Sequence, residues 1–224
     1  MGVLEAVGLY RFFHVGDEET IALRGVDLDV AAGELCALQG PSGSGKSTLI
    51  ACLAGLDDPD GGAVTLMGER ISRRPEGQRA RIRARHVGLM TQGGNLFEHL
   101  SFRDNVQLAL ALALAAGRGD VHESADRALA DLDIAALADA LPATLSSGQY
   151  ARAGVAVALA PAPPVLICDE PTAEVDTVSE AWIIARLRAA CRDGAGVLVA
   201  THSAAIAASA DRVIHIKDGR IANG

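Results

Sequence analysis

Gly40-Pro41-Ser42-Gly43-Ser44-Gly45-Lys46-Ser47-Thr48 is the stretch from which the rest of the chain can be read. It satisfies the pattern G-x-x-x-x-G-K-[ST], and its flanks give that pattern meaning. Leu35–Gln39 reads as a short apolar strand leading in, and Lys46–Leu53 as a helix leading out, ended near Gly55. In such a strand–loop–helix unit the glycines let backbone N–H groups close around phosphates, and the helix N-terminus adds positive potential. Lys46 can reach the β and γ phosphates of a nucleotide, and Ser47 offers Mg²⁺ an oxygen.

Upstream of the loop, Val3–Phe13 and Val26–Val30 read as strands of an antiparallel pair, with an acidic loop over His14–Thr20 and a turn at Ala31-Ala32-Gly33. Downstream, Asp57–Gly62 forms a turn, Ala63–Met67 and His86–Met90 are strands, and the region from about Gly93 to Leu159 is mostly helical. Strand Val165–Asp169, helix Val178–Arg192 with a Gly194 cap, and strand Val197–Thr201 follow. Asp218-Gly219 between two apolar segments of Arg212–Ile221 signals a hairpin. Alternating β and α units imply an α/β fold with a mostly parallel sheet covered on both faces. The expected organisation is a single domain: an α/β core from residues 1–92 and 160–224, opened by an antiparallel β subdomain, with a helical subdomain inserted at 93–159.

Composition narrows the classes of function. The 224 residues are half apolar, with a formal charge of −8, which argues against a nucleic-acid partner. The one basic cluster, Arg70 to Arg85, reads as a solvated helix face. Cys36, Cys52, Cys168 and Cys191 lack metal-type spacing and sit in apolar segments, as free thiols do in a reducing compartment. Val106–Ala116, the longest apolar stretch, is about half of the roughly 20 residues that a membrane-spanning helix needs, and reads as a buried helix. A cytoplasmic location without direct membrane insertion is expected, the N-terminus having neither a signal-peptide pattern nor a myristoylation motif.

Two further motifs carry chemistry. Val165-Leu166-Ile167-Cys168-Asp169-Glu170 is an apolar strand ending in two carboxylates, one placed to hold a Mg²⁺ shell (Asp169) and one to polarise a water attacking the γ-phosphate (Glu170). Leu145-Ser146-Ser147-Gly148-Gln149 precedes a helix and then that acidic strand. Together with the phosphate loop, this order resembles the ATP-binding cassette family, whose signature is L-S-G-G-Q, and the resemblance covers nearly the whole chain.

The resemblance implies more than the residues alone. Gln92, after His86-Val87-Gly88-Leu89-Met90-Thr91, resembles the family's Q-loop and would act in catalysis and as a Mg²⁺ ligand beside Ser47 and Asp169. Glu170-Pro171-Thr172-Ala173-Glu174-Val175-Asp176 runs into the D-loop, with Asp176 near nucleotide, and His202 in Val199-Ala200-Thr201-His202 matches the switch histidine. Ser146, Ser147, Gly148 and Gln149 would contact ATP held by a second copy. Catalysis would rest on Lys46, Gln92, Glu170 and His202. Adenine should stack on an aromatic ring upstream of the loop; alignment of Leu23-Arg24-Gly25-Val26 points to Phe13, with Phe12 and Tyr10 as alternatives. The chain departs from the family at Ser147, where a glycine is usual, and at Ala151 and Val157, where polar residues are common, which puts the closure around ATP in question.

The function so implied is an ATPase that sandwiches two MgATP in a head-to-tail homodimer and drives export or extraction through separate transmembrane permease subunits. Docking would use the groove around Gln92–Leu100. Gly94-Asn95-Leu96-Phe97 and Asp104-Asn105-Val106 most resemble the lipoprotein-release, macrolide-export and cell-division group. The alternative is a cassette that relays ATP-driven motion to a membrane-bound regulator.

Overall fold

Two long strands open the chain. In the computed structural model, which describes residues 2–15, 18–92, 95–119, 124–131 and 134–222, β1 (Gly2–Val15) and β2 (Glu18–Ala31) pair antiparallel out to Val15 opposite Glu18. The acidic loop expected over His14–Thr20 therefore shrinks to the hairpin tip, where Gly16 and Asp17 lie outside the described residues. Residue preferences weigh side chains, whereas a ladder is held by backbone groups that Glu18 and Glu19 supply as well as any others. β4 (Gly61–Leu66) pairs with the far edge of β1, and a two-residue β5 (Glu69–Arg70), absent from the sequence reading, pairs with β4, giving the order β2-β1-β4-β5.

The second sheet holds β3 (Leu35–Gln39), β6 (Val87–Met90), β7 (Val165–Asp169), β8 (Gly196–Ala200), β9 (Arg212–Lys217) and β10 (Arg220–Ala222) in the order β10-β9-β3-β8-β7-β6. Every neighbouring pair from β9 to β6 is parallel; only β10 runs antiparallel, across the hairpin at Asp218-Gly219. Both turn residues have positive φ, 50° and 74°, as a tight two-residue hairpin requires. The fold is thus α/β, with a mostly parallel sheet and an antiparallel entry sheet, as the alternation of strand and helix patterns implied.

Strand periodicity divides the core. Cys36 and Leu38 of β3, Val165 and Ile167 of β7, and Leu198 and Ala200 of β8 face one way, into a cluster completed by the antiparallel sheet and by Leu49, Ile50 and Leu53 of α1 (Lys46–Leu53). The alternate residues Leu35, Leu166, Cys168, Val197 and Val199 face α5 (Ser147–Leu159) and α6 (Thr177–Arg192). Burial on both faces explains why these strands read as unbroken apolar runs. Each fully buried Leu or Ile contributes about 1.5–3 kcal/mol, so α1, and with it the phosphate loop, is held firmly between the two sheets.

A third cluster joins α3 (Phe102–Ala115), α4 (Ala125–Asp131) and one face of α5 through Phe102, Val106, Leu129 and Val157. Here the expectation of a buried helix over Val106–Ala116 needs correction. The segment is helical, yet only Phe102, Asn105, Val106, Leu110 and Ala113 of α3 are buried, while Leu112 and Leu114 remain about half exposed. Composition reports how apolar a helix is, not how many neighbours the fold sets around it. The basic cluster runs from β5 into α2 (Glu76–His86), which buries only Ile82. Arg81 and Arg85 are exposed, whereas Arg79 and Arg83 are largely covered and pair with Asp58 and Glu76, so the solvated face is only partial. α7 (Ala204–Ser209) is a six-residue helix too short for periodicity to reveal.

All four cysteines are free and buried. Burial pushes the thiols of Cys36, Cys52 and Cys168 up to about 12 and that of Cys191 to about 11. Because the thiolate is the reactive form, all four should resist alkylation by iodoacetamide at pH 7.5 in the native protein and react together in denaturant. Mass spectrometry over time checks this; rapid single labelling of the native chain would contradict the burial.

Candidate functional site

At a parallel sheet's carboxyl edge, loops leaving adjacent strands converge, and here β3, β6, β7 and β8 all deliver chemistry to that edge. The loop after β3 is Gly40–Gly45, β6 runs to Gln92, β7 ends at Asp169-Glu170, and β8 leads to His202. They meet in a cleft of about 940 Å³ lined by Ser42, Gly43, Gly45, Lys46, Ser47, Thr48, Gln92, Asp169, Glu170 and His202. β1 and β2 close its outer wall with Phe13, Thr20, Ile21, Ala22 and Arg24, and the β9–β10 turn adds Asp218 and Gly219.

The phosphate loop takes its shape from its residues. Gly43 and Gly45 sit at φ 77° and 102°, which a side chain would strain, and Gly45 caps α1. At Gly40 a Cβ would lie 2.2 Å from the Ile216 carbonyl oxygen, so only a glycine lets β9 lie this close to the loop. Gly219 N–H donates to the Ser44 carbonyl at 3.0 Å and Arg24 N–H to the Gly219 carbonyl at 2.8 Å, tying together three segments distant in sequence. Lys46 is 8% exposed and its Nζ donates to the Gly40 and Pro41 carbonyls at 2.7 and 3.1 Å, across the loop. The Ser44 hydroxyl is buried without a partner, a polar atom left over where loop and anion would meet.

The acidic strand end is more constrained than a sequence could reveal. Asp169 is 6% exposed. Glu170 adopts φ 52°, in the left-handed region, with its N–H bonded to the Ala200 carbonyl at 2.9 Å. Its Oε2 accepts from the His202 backbone N–H at 3.2 Å; Oε1 is buried without a hydrogen bond, 3.5 Å from His202 Nε2. A strained backbone carrying an unsatisfied carboxylate oxygen into a cleft is the arrangement of a group held for a reaction.

Phe13 lines the cleft, its ring under the Arg11 guanidinium at 4.9 Å. Tyr10 and Phe12 stack on each other with centroids 6.3 Å apart, Tyr10 packs over Gly25 and Gly61, and neither lines the cleft. The signature residues are elsewhere. Ser146 caps α5 in a capping box with Gln149, each satisfying the other's backbone N–H; Ser147 is exposed at the first turn; Gly148 is buried. A Cβ on Gly148 would lie 2.5 Å from Ser179 Oγ and 2.7 Å from Asp176 Oδ2. Asp176 itself caps α6, accepting from Ser179 N–H and Oγ at 2.8 Å each. Leu145–Gln149 and Asp176 are not among the residues lining the cleft. In the expected docking groove, Gly93 and Gly94 lie outside the described residues; Asn105 organises the remainder, accepting from Phe97 N–H at 2.7 Å and donating to the Phe97, Leu100 and Ser101 carbonyls.

A phosphate loop on a parallel sheet, facing a buried Asp169 and a partly buried Glu170, defines a nucleoside-triphosphate-binding domain. The sequence profile of the ABC transporter family matches residues 23–173, and the chain belongs to that family as one of its ATPase domains. It is 39% identical over 221 residues to the macrolide export ATP-binding/permease protein MacB 1 of Aeromonas hydrophila, covering 98% of this chain and 34% of that one. Against MacB of Rhodopirellula baltica it is 36% identical over 222 residues, covering 98% and 32%. The chain thus spans about a third of the length of these curated relatives. Among solved structures, a dimeric bacterial ABC transporter cassette superposes with a TM-score of 0.89 at 31% identity, covering 98% of this chain and 97% of that one. A dimeric post-hydrolysis state of an ATP-binding cassette bound to ADP and Pi gives 0.89 at 29%, with the same coverage. No helix among the described residues is long and apolar enough to cross a membrane.

Proposed function

We propose that the chain binds MgATP in the cleft, hydrolyses it as a head-to-tail pair of copies, and drives a membrane permease lying outside these residues. The observation that carries this is the separation of the two halves of the chemistry. Phosphate loop, Asp169, Glu170 and His202 share one cleft, while Ser146–Gln149 cap a helix apart from it with Ser146 and Ser147 exposed. A second copy in head-to-tail register would bring its signature to the first copy's γ-phosphate, in keeping with the dimeric structural neighbours. The proposed division into a core of 1–92 and 160–224 and a helical unit of 93–159 is supported by the cluster built on α3 and α4, while α5 packs on both sides of it.

Within this reading, Gly40, Pro41, Ser42, Gly43, Ser44, Gly45, Lys46, Ser47 and Thr48 enclose the phosphates, and Lys46 swings from its own loop carbonyls to them. Ser47, Asp169 and Gln92 each carry an oxygen donor at the cleft, a set that suits Mg²⁺ shared with phosphate. Bound there, Mg²⁺ would neutralise charge developing on the phosphoryl oxygens. The unpaired Oε1 of Glu170 accepts a hydrogen bond from the attacking water, and His202 presents Nε2 beside it to the γ-phosphate. Phe13 stacks on adenine. Phe13→Ala should raise KM for ATP about five- to tenfold with kcat unchanged, at the lower end of the ~1–3 kcal/mol of aromatic–base stacking. Tyr10→Ala should leave KM alone and lower the melting temperature, so steady-state kinetics beside calorimetry separate the two.

The macrolide-export relatives carry ATP-binding and permease in one name, and support a permease partner and an export or extraction role at the inner face of the cell membrane. Phosphate release from purified chain and MgATP tests the core of the proposal. Below saturation the rate should rise with the square of protein concentration, because two copies complete each site. A rate strictly proportional to concentration would overturn the shared site.

A further inference from the structure

We propose that Glu180 is a positioning residue that acts through Ser203 to hold the His202 loop against Glu170; the inference rests on the hydrolytic reading of the cleft. Neither residue belongs to a motif that the sequence singled out, yet both line the cleft. Glu180 lies in the first turn of α6, one residue after the Ser179 that closes the Asp176 cap. Its Oε1 accepts a hydrogen bond from Ser203 Oγ at 2.6 Å, the length of a charge-assisted O–H···O⁻ contact.

His202 needs such a tether. Its side chain is 58% exposed, so packing does not fix it, and its backbone N–H is what reaches Glu170. The segment after it is weakly anchored, since α7 has six residues and buries only Ile206. Ser203 gathers the restraints: its N–H donates to Thr201 Oγ1 at 2.9 Å, its Oγ accepts from Ile206 N–H at 3.1 Å, and its hydroxyl proton goes to Glu180. Thr201 N–H is in turn fixed to the Leu38 carbonyl of β3 at 3.0 Å. Of these bonds, only the one to Glu180 ties the loop to the 16-residue α6, whose Ile183 and Leu187 are fully buried. Losing it frees the His202 loop to drift while the phosphate loop and Phe13, on other elements, keep their hold on nucleotide.

The test is a set of variants read in two ways. E180A and S203A should each lower kcat about five- to fiftyfold, the range expected when a reacting group shifts by an ångström or less, with KM for ATP within twofold. E180Q keeps an acceptor oxygen without charge and should recover most of the lost kcat. The E180A/S203A double variant should be no slower than the slower single, since both remove one bond. In nucleotide-free protein, the His202 ring cross-peak in a ¹H–¹³C NMR spectrum should move or broaden in E180A and S203A and return in E180Q. An unmoved ring signal in E180A, additive losses, or an E180Q as slow as E180A would overturn the proposal; the last would make Glu180 a charged participant instead. The NMR arm needs no turnover, so a chain unable to hydrolyse ATP would sink the reading of the cleft while the ring signal still decided the tether.

Discussion

Lys46→Ala is expected to reduce phosphate release by about a hundred- to a thousandfold while leaving the fold intact. Phosphoryl transfer depends on positioning and on charges fixed before the reaction, and losing one such preorganised contact typically costs on the order of 10²–10³ in kcat. Lys46 is the cation that the loop holds within the cradle, bonded to the Gly40 and Pro41 carbonyls. Its removal leaves those two carbonyls facing the open cleft, where water can replace the ammonium, so the melting temperature should stay within about 4 °C. A phosphate-release assay beside thermal denaturation checks both halves. Wild-type turnover in the variant would sink the site assignment, and an unfolded variant would show that the lysine is part of the loop's own structure.

Glu170→Gln should separate binding from chemistry. Glutamine matches glutamate in shape and still offers a carbonyl oxygen to the His202 N–H, so the loop geometry seen at 3.2 Å is retained. What is lost is the carboxylate oxygen that makes no hydrogen bond in the resting protein and lies 3.5 Å from His202 Nε2. Hydrolysis should fall by at least about a hundredfold, at the low end of what a positioned general base contributes. ATP binding and closure should persist, so the variant should accumulate as a dimer in MgATP and return to monomer once nucleotide is removed. Size-exclusion chromatography with light scattering reads this directly. A variant that stays monomeric at saturating MgATP would refute the head-to-tail scheme even if hydrolysis were lost.

Ser147 sits at the margin of that scheme. It departs from the glycine usual in the family signature, yet it is exposed in the first turn of α5. Gly148 beside it has no such freedom, being pressed against Asp176 and Ser179. Under the proposed head-to-tail pairing, any effect of the Ser147 hydroxyl would fall on the facing copy, at the step of closure.

Much of this was legible in the residues. β3, α1 and β7 fall where Leu35–Gln39, Lys46–Leu53 and Val165–Asp169 placed them, because runs buried on both faces and a glycine-flanked helix start leave few alternatives. Phosphate loop, acidic strand end and His202 could be named before any coordinates, since each is a local pattern tied to a strand end. The boundaries that moved, at His14–Thr20 and along α3, depend on pairing and coverage by distant segments.

The sequence by itself determined the fold class and the family, and named the residues proposed to handle a phosphate, because these are written in patterns shorter than a dozen residues. Only the tertiary structure decided that Phe13 rather than Tyr10 or Phe12 faces the cleft, that Asp176 caps α6, that Glu170 carries an unpaired oxygen, and that Glu180 reaches Ser203. Apart from the Asp176 cap, which is local, each of these is a contact between residues 20 or more positions apart, or a choice between two faces of one strand. Such choices are made by which neighbours fill the space, and that information lies in no single stretch of chain.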